Sequence, residues 1–176
     1  MIVISDTTPL NYLIQIEHTF VLRELYGRLI VPQAVKEELL KDAAPVAVKT
    51  WMSHPPDWLE VQPVSRQDPA LNRLGAGERE AILLAQELLA DALILDERAG
   101  RFEANRRSVR VIGTLGVLDN AAERGLIDLP RIIERLTQTT FRASPKLVQS
   151  FLDHDAARNQ QRQEQDRERP SLELET

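Results

Sequence analysis

Two acidic residues from distant parts of the chain stand where a parallel sheet would bring them together. Asp6 follows a short apolar run over residues 2–4, and Asp96 follows a second one over 92–95. Short β-branched runs without helical spacing are typical of strands that are buried on both faces. Because ligand chemistry in such sheets lies outside the carboxyl ends of the strands, we expect both carboxylates at one functional edge.

Two further acids, Glu38 and Glu78, lie on predicted helices, so their direction follows from helical phase. At about 100° per residue, Glu38 shares the apolar face of Val35, whereas its neighbour Glu37 points to water. Glu78 also lies on an apolar face, whereas Glu80 falls on the polar side of the same helix. Inward carboxylates need a partner. A Mg²⁺ or Mn²⁺ ion would supply one, because both ions prefer oxygen ligands.

Most of these acids also have a structural interpretation. Asp6 and Asp96 are both well placed to cap the helix that follows them, and Glu78 stands at a helix N-terminus, where the macrodipole favours negative charge. Glu38 lies in the middle of its helix, where neither explanation applies. The four acids together favour the functional interpretation, because all of them are inward-facing or at strand ends. Segments 1–22 and 80–97 contain no Lys or Arg that could neutralise them.

The composition excludes or disfavours several other chemistries. The 176-residue chain has no cysteine, and its three histidines form no HxxxH or HExxH pair, which argues against thiolate chemistry and zinc catalysis. No GxxxxGK[ST] or GxSxG motif occurs, and residues 75–78 are not a GxGxxG fingerprint. The net charge of −5 argues against a passive nucleic-acid coat. It does not argue against a nuclease whose carboxylates hold metal ions.

Short apolar strands alternate with helices along the chain. Strands are predicted at about 2–4, 29–31, 58–61, 92–95 and 109–112. This alternation predicts an α/β fold with a mostly parallel sheet, as one domain over 1–157. The polar residues 158–176 predict a flexible tail or an extension of the last helix. No secretory signal or membrane-spanning run is recognised, so we expect a soluble, cytoplasmic protein.

Five segments of the chain, taken in order, carry a family resemblance. They are IVISDTTPLNYL, VPQAVKEEL, LGAGEREAILLA, LILDERAGR and VIGTLGVLDNAAERGLI. Together they resemble the PIN domain superfamily, and within it the group related to the toxins of VapBC toxin–antitoxin pairs. The most similar subgroup is domain of unknown function 3368, and the resemblance covers about residues 1–128. It implies a three-layer α/β/α sandwich and a Mg²⁺- or Mn²⁺-dependent endoribonuclease that cleaves single-stranded RNA.

The resemblance also implies a role for each acid. The acidic motif of the family falls on Asp6, Glu38, Glu78 and Asp96, which are the residues that strand ends and helical phase indicate independently. Glu97 is a further candidate metal ligand, because many relatives place the fourth acid one residue further along. These carboxylates are expected to hold one or two cations that activate the attacking water.

Other residues near these acids are expected to support binding. Ser5, Thr7 and Asn11 are candidates for positioning the first acid, by resemblance. Arg98 and Arg101, about one turn from the expected metal site, are predicted to bind RNA phosphates. Further along the same basic stretch lie Arg106, Arg107 and Arg110, and for the first two a solvated helix face is an equally good explanation.

The resemblance further implies two protein partners, a small antitoxin and a second copy of the chain in a homodimer. The alternative function is a non-catalytic PIN-like module that binds RNA or protein without cutting. A phosphatase or receiver-type phosphoprotein is disfavoured, because Asp6 is not followed by the second Asp of a DxDxT motif.

Overall fold

The computed structural model of the chain describes residues 1–168, and within them five strands form one sheet. The strands are β1 (Val3–Ser5), β2 (Leu29–Pro32), β3 (Leu59–Gln62), β4 (Ala92–Ile94) and β5 (Val111–Ile112). They lie in the order β3-β2-β1-β4-β5, and each adjacent pair is parallel. The predicted α/β fold with a parallel sheet is therefore confirmed.

Helices connect the strands, as parallel pairing requires. They are α1 (Thr7–Gln15), α2 (Phe20–Tyr26), α3 (Gln33–Leu39), α4 (Val46–Ser53), α5 (Ala76–Glu87), α6 (Arg98–Arg106), α7 (Thr114–Glu123), α8 (Leu129–Thr137) and α9 (Pro145–Glu168). α2 ends at Gly27, whose φ of 74° is a left-handed conformation that glycine accepts without strain. Among residues 1–168, no helix has the length and apolar character needed to cross a membrane.

The sheet carries an apolar layer on each face, because successive side chains of a strand point in opposite directions. Val3 and Ile94 pack in a cluster with buried residues of α1, α2, α7 and α8. Ile4 and Leu93 point the other way and pack with buried residues of α5 and α6. All four side chains are fully buried. The three-layer α/β/α sandwich is thus confirmed.

The strand order reverses between β1 and β4, the two central neighbours. The helix after β1 packs on one face of the sheet and the helix after β4 packs on the other. Such divergence leaves a crevice outside the carboxyl ends of the two strands, where ligands of α/β sheets bind. The N–H of Asp6 donates to the carbonyl of Ile94 at 2.9 Å, so the first residue after β1 stands at this crevice.

The last helix extends into the polar tail, which is one of the two alternatives that the sequence leaves open for residues 158–176. α9 continues past the expected end at 157. Arg158 fixes this continuation, because its Nη2 lies 2.7 Å from Asp155 and 3.0 Å from Asp119 of α7. The first part of the polar tail is therefore helical, and its remainder, 169–176, lies outside the described residues.

One predicted orientation is wrong. Glu37 is exposed, as helical phase predicts, but Glu80 is half-buried instead of lying on an open polar surface. Its Oε2 accepts a hydrogen bond from the N–H of Ala34 at 3.0 Å. Ala34 lies in the first turn of α3, so Glu80 satisfies one of the free N–H groups there. The phase of α5 alone could not reveal this, since the polar side of α5 faces a second helix.

Candidate active site

Asp6 lies at the centre of the crevice and is almost fully buried, with 2% of its surface exposed. It is the N-cap of α1, and its Oδ2 accepts a hydrogen bond from the N–H of Thr8 at 3.3 Å. The neighbouring Ser5 is also buried, and its hydroxyl donates to the Asp6 carbonyl at 3.0 Å. Asn11 is half-buried further along α1. The capping role and a functional role for Asp6 are therefore compatible, because Thr8 binds only one of its carboxylate oxygens.

Glu38 meets Asp6 at the start of α5. The hydroxyl of Thr7 donates to Glu38 Oε2, and the N–H of Gly77 donates to Glu38 Oε1 at 3.0 Å. A Cβ added at Gly77 would lie 2.5 Å from Glu38 Oε2, 2.6 Å from Thr7 Oγ1 and 3.1 Å from Asp6 Oδ1. Three side-chain oxygens from two other segments of the chain therefore converge on one glycine.

Glu78, the next residue, directs its carboxylate toward α6. Its Oε2 accepts a hydrogen bond from the N–H of Gly75 at 3.2 Å, which makes it part of the cap of α5. Its Oε1 is buried and has no hydrogen-bond partner among the described residues. A Cβ at Gly100 would lie 2.5 Å from this Oε1, so the glycine leaves the space that the carboxylate occupies. The macrodipole interpretation thus accounts for one oxygen of Glu78 but not for the other.

These carboxylates destabilise each other's charged forms. The pKa of Asp6 is raised from 3.8 to about 7, mainly by burial. The charges of Glu78 and Glu38 also raise this pKa, and backbone hydrogen bonds lower it. Burial also raises the pKa of Glu78, with added repulsion from Glu97 and Glu38. Among residues 1–168, no Lys or Arg forms an ion pair with Asp6, Glu38 or Glu78. The group is therefore a concentration of uncompensated negative charge.

Asp96 and Glu97 take different directions at the end of β4. Asp96 faces the start of α7, where its Oδ1 accepts the N–H of Thr114 at 2.8 Å and its Oδ2 accepts the Thr114 hydroxyl at 2.6 Å. Glu97 is exposed, and its charge acts on Glu78. The structure therefore gathers Asp6, Glu38 and Glu78 and directs Asp96 toward a neighbouring helix.

The donor types and the charge of this group fit a hard divalent cation. In the part of the chain that the structure describes, no three His, Asp or Glu side chains are arranged as a ready metal site. Both oxygens of Glu38 and of Asp96 already accept hydrogen bonds. The unpartnered oxygen of Glu78 and the raised pKa of Asp6 are what a bound cation would relieve, and carboxylate oxygens are the ligands that Mg²⁺ and Mn²⁺ prefer.

The two predicted phosphate-binding arginines flank this site differently. Arg98 is exposed at the start of α6, whereas Arg101 is half-buried and donates to the Leu95 carbonyl at 2.9 Å. Arg107 is not part of a solvated basic face. Its guanidinium pairs with Glu103 at 2.5 Å and with Asp68 at 2.9 Å, so its role is structural.

Sequence reasoning missed two residues of the site, Gly77 and Thr114. Gly77 gives Glu38 an N–H donor and leaves room for the oxygens around it. Thr114 binds both oxygens of Asp96. A signal for Thr114 existed, because it begins a helix directly after a predicted strand and so falls at the same sheet edge. Gly77 has only its place in the segment LGAGERE, where nothing local indicates a close approach.

Comparison with known proteins identifies the family of the chain. The family model of domain of unknown function 3368, described as a PIN domain, matches residues 2–156. The chain therefore belongs to the PIN domain family, whose fold is of the nuclease type. Among solved structures, the chain is similar to a PilT N-terminus domain protein from the hyperthermophilic archaeon Sulfolobus solfataricus, at 14% identity and a TM-score of 0.46. That match covers 82% of this chain and 100% of the archaeal one. No curated protein matches the chain.

Proposed function

We propose that this protein is a divalent-metal-dependent endoribonuclease that cleaves single-stranded RNA, and that it is the toxin of a type II toxin–antitoxin pair. The observation that carries the proposal is the uncompensated carboxylate group of Asp6, Glu38 and Glu78 at the switch point of a PIN-family sheet. Buried like charges weaken a fold and persist where function needs them.

Each residue has a defined task in this proposal. Asp6 and Glu78 hold Mg²⁺ or Mn²⁺, while Thr7 and Gly77 fix the carboxylate of Glu38 beside them. The bound cation would polarise the phosphodiester and lower the pKa of the attacking water. Asp96, at the end of β4, is the fourth acid at this edge of the sheet, and hydrogen bonds from Thr114 set its orientation.

The test is cleavage of a fluorescent single-stranded RNA in the presence of Mn²⁺. We expect Asp6→Asn and Glu38→Gln each to lower the rate at least about 100-fold, because even outer partners of metal ligands are worth about 10–100-fold. Glu37→Gln is the matched control, since Glu37 is the exposed neighbour on the same helix and should leave the rate unchanged. If Asp6→Asn cuts as fast as the unaltered protein, the mechanism is wrong.

A non-catalytic PIN-like module that binds RNA or protein is the alternative. It is favoured by one observation, which is that no three acidic or histidine side chains of residues 1–168 form a ready metal site. Calorimetric titration with Mn²⁺ separates the two functions. Binding that Asp6→Asn removes supports the nuclease, and no detectable binding supports the module.

The toxin assignment includes two partners, a small antitoxin and a second copy of the chain. Phe20 on α2, which is 43% exposed, is one apolar residue available for the homodimer. Expression of the chain alone should arrest growth, and co-expression of a short neighbouring gene should restore it. Growth that is unaffected by an actively cleaving chain would contradict the toxin role and leave the nuclease proposal standing.

A further inference from the structure

A cleft of about 520 Å³ opens beside Asp96, away from the Asp6 group. Its volume lies within the roughly 300–1,000 Å³ of typical ligand pockets. One side is formed by β5 and the start of α7, and the other by residues 141–151 at the start of α9. The residues that matter here are Asp96, Arg101, Arg110, Arg142, Leu147 and Phe151.

Three arginines line this cleft, at positions 101, 110 and 142. Among residues 1–168, Arg101, Arg110 and Arg142 form no ion pair. Arg142 donates to the carbonyls of Thr139 and Phe141 at 3.2 and 2.7 Å, so backbone contacts aim its guanidinium without neutralising it. Three positive charges therefore face one concave surface that has no matching acid beyond Asp96 and Asp119.

The side of the cleft that carries Arg142 also presents apolar side chains. Leu147 is 47% exposed and Phe151 is half-buried, and both line the cleft from the first turns of α9. A groove that combines unpaired arginines with an aromatic side chain fits a single nucleic-acid strand, because the guanidinium groups contact phosphates and bases stack on the ring. A folded duplex offers no unstacked base for such a side chain.

We propose that this cleft binds the RNA strand immediately beside the cleavage site, with Arg110 and Arg142 on backbone phosphates and one base against Phe151. The inference rests on the proposed nuclease function and adds the path that the substrate takes. Asp96 lines the cleft directly after β4, and β4 adjoins Asp6 through the bond from the Asp6 N–H to the Ile94 carbonyl. The strand therefore runs from the arginine cleft past the end of β4 toward Asp6. Stacking on Phe151 beside Leu147 would favour an unpaired base next to the cleavage site.

The experiment measures binding of a fluorescent eight-nucleotide oligouridine to the full chain by anisotropy, with Ca²⁺ present. We expect the double variant Arg110→Gln/Arg142→Gln to bind at least about tenfold more weakly, with a salt dependence reduced by about 1.4 in slope for two lost single-strand phosphate contacts. Phe151→Leu should weaken binding about threefold or more, at an unchanged melting temperature. The matched control is Arg23→Gln/Arg131→Gln, which removes the same charge from exposed positions outside the cleft and should change affinity less than twofold.

The outcomes separate this inference from the function on which it rests. Cleft and control variants with equal RNA affinity would overturn the cleft, even if the protein cleaves RNA. Weakened binding by the cleft variants in a protein that never cleaves would retain the cleft and reject the nuclease. If the cleft variants keep RNA affinity but no longer respond to the antitoxin, the cleft is a protein-binding groove and the inference is wrong.

Discussion

Two carboxylates in this molecule are equally buried and have opposite surroundings. Asp6 and Glu103 each expose 2% of their surface. Glu103 on α6 pairs with the guanidinium groups of Arg73, Arg106 and Arg107. Asp6, in contrast, lies near two further acids, and their charges add to the burial that raises its pKa to about 7.

Glu103 is a buried charge that the fold neutralises with arginines, whereas no cationic side chain of residues 1–168 pairs with Asp6. A buried ion is tolerated when opposite charges and hydrogen bonds surround it, as around Glu103. The Asp6 group has hydrogen bonds but no cation from the chain in residues 1–168. Since this chain solves the same electrostatic problem elsewhere with arginine, we interpret the missing cation at Asp6 as a requirement of function.

The largest effect on stability is expected at the satisfied carboxylate. Glu103→Gln should lower the free energy of unfolding by about 3 kcal/mol, near the lower end for breaking a buried ion pair, because two of the three arginines are exposed and can return to water. Urea denaturation measures this value. Glu60→Gln is the control, since its ion pair with Arg28 is exposed and is worth under about 1 kcal/mol. Equal losses in the two variants would remove the distinction.

The opposite sign is expected at the unsatisfied carboxylate. Asp6→Asn should raise the free energy of unfolding of the metal-free protein by about 2 kcal/mol at pH 8, because it removes a buried charge. Asparagine remains a good N-cap, so α1 keeps its first turn. The same denaturation series at pH 8 with a chelator tests this. A variant that loses activity and stability together would indicate that Asp6 is mainly structural.

The pH dependence follows from the same shift. The folded protein binds the Asp6 proton more tightly than the unfolded chain, whose pKa is 3.8. The stabilising contribution of protonated Asp6 is therefore complete below about pH 4 and is lost as the pH rises through about 7. This decline should be smaller in Asp6→Asn, where only the raised pKa of Glu78 still contributes to it. Mn²⁺ at pH 8 should restore stability only to the unaltered protein. Identical pH profiles for the two proteins would contradict the raised pKa.

The smallest effect is expected at Thr114, whose hydrogen bonds hold the carboxylate of Asp96. Thr114→Val keeps the shape of the side chain and removes the 2.6 Å bond to Asp96, which should cost about 1 kcal/mol of stability. RNA cleavage should fall about tenfold, since Asp96 loses one of its two donors. Thr114→Ser, which keeps the hydroxyl, should restore most of the rate. If serine fails to restore it, the effect comes from packing.

The sequence was sufficient to predict the five strands and the orientation of three glutamate side chains on the helices. β1 and β2 are short, mostly buried runs rich in β-branched residues. Such runs are informative without neighbours because burial on both faces removes the usual alternation. Helical phase was correct for Glu37, which is exposed, and for Glu38 and Glu78, which turn inward. It was wrong for Glu80.

What the sequence could not indicate are the contacts made between distant segments. Gly77 is required because Thr7 and Glu38 approach it from other elements. Glu103 lies in the basic stretch that includes Arg106 and Arg107, and Arg73 from a preceding loop forms an ion pair with it. Such pairings depend on how α5 and α6 pack on the sheet, and neither composition nor local spacing carries that information.

The position of β1 in the sheet has a consequence for synthesis of the chain. β1 can pair with β2 before β4 is synthesised, because β2 comes first in the chain. The other edge of β1 can pair only after β4 has left the ribosome, and the hydrogen bond from Asp6 to Ile94 forms only then. At about 5–20 residues per second, several seconds separate the two strands. A nascent or truncated chain that ends before Asp96 has Asp6, Glu38 and Glu78 but no finished crevice. The crevice that holds the proposed site is therefore completed only after β4 has left the ribosome.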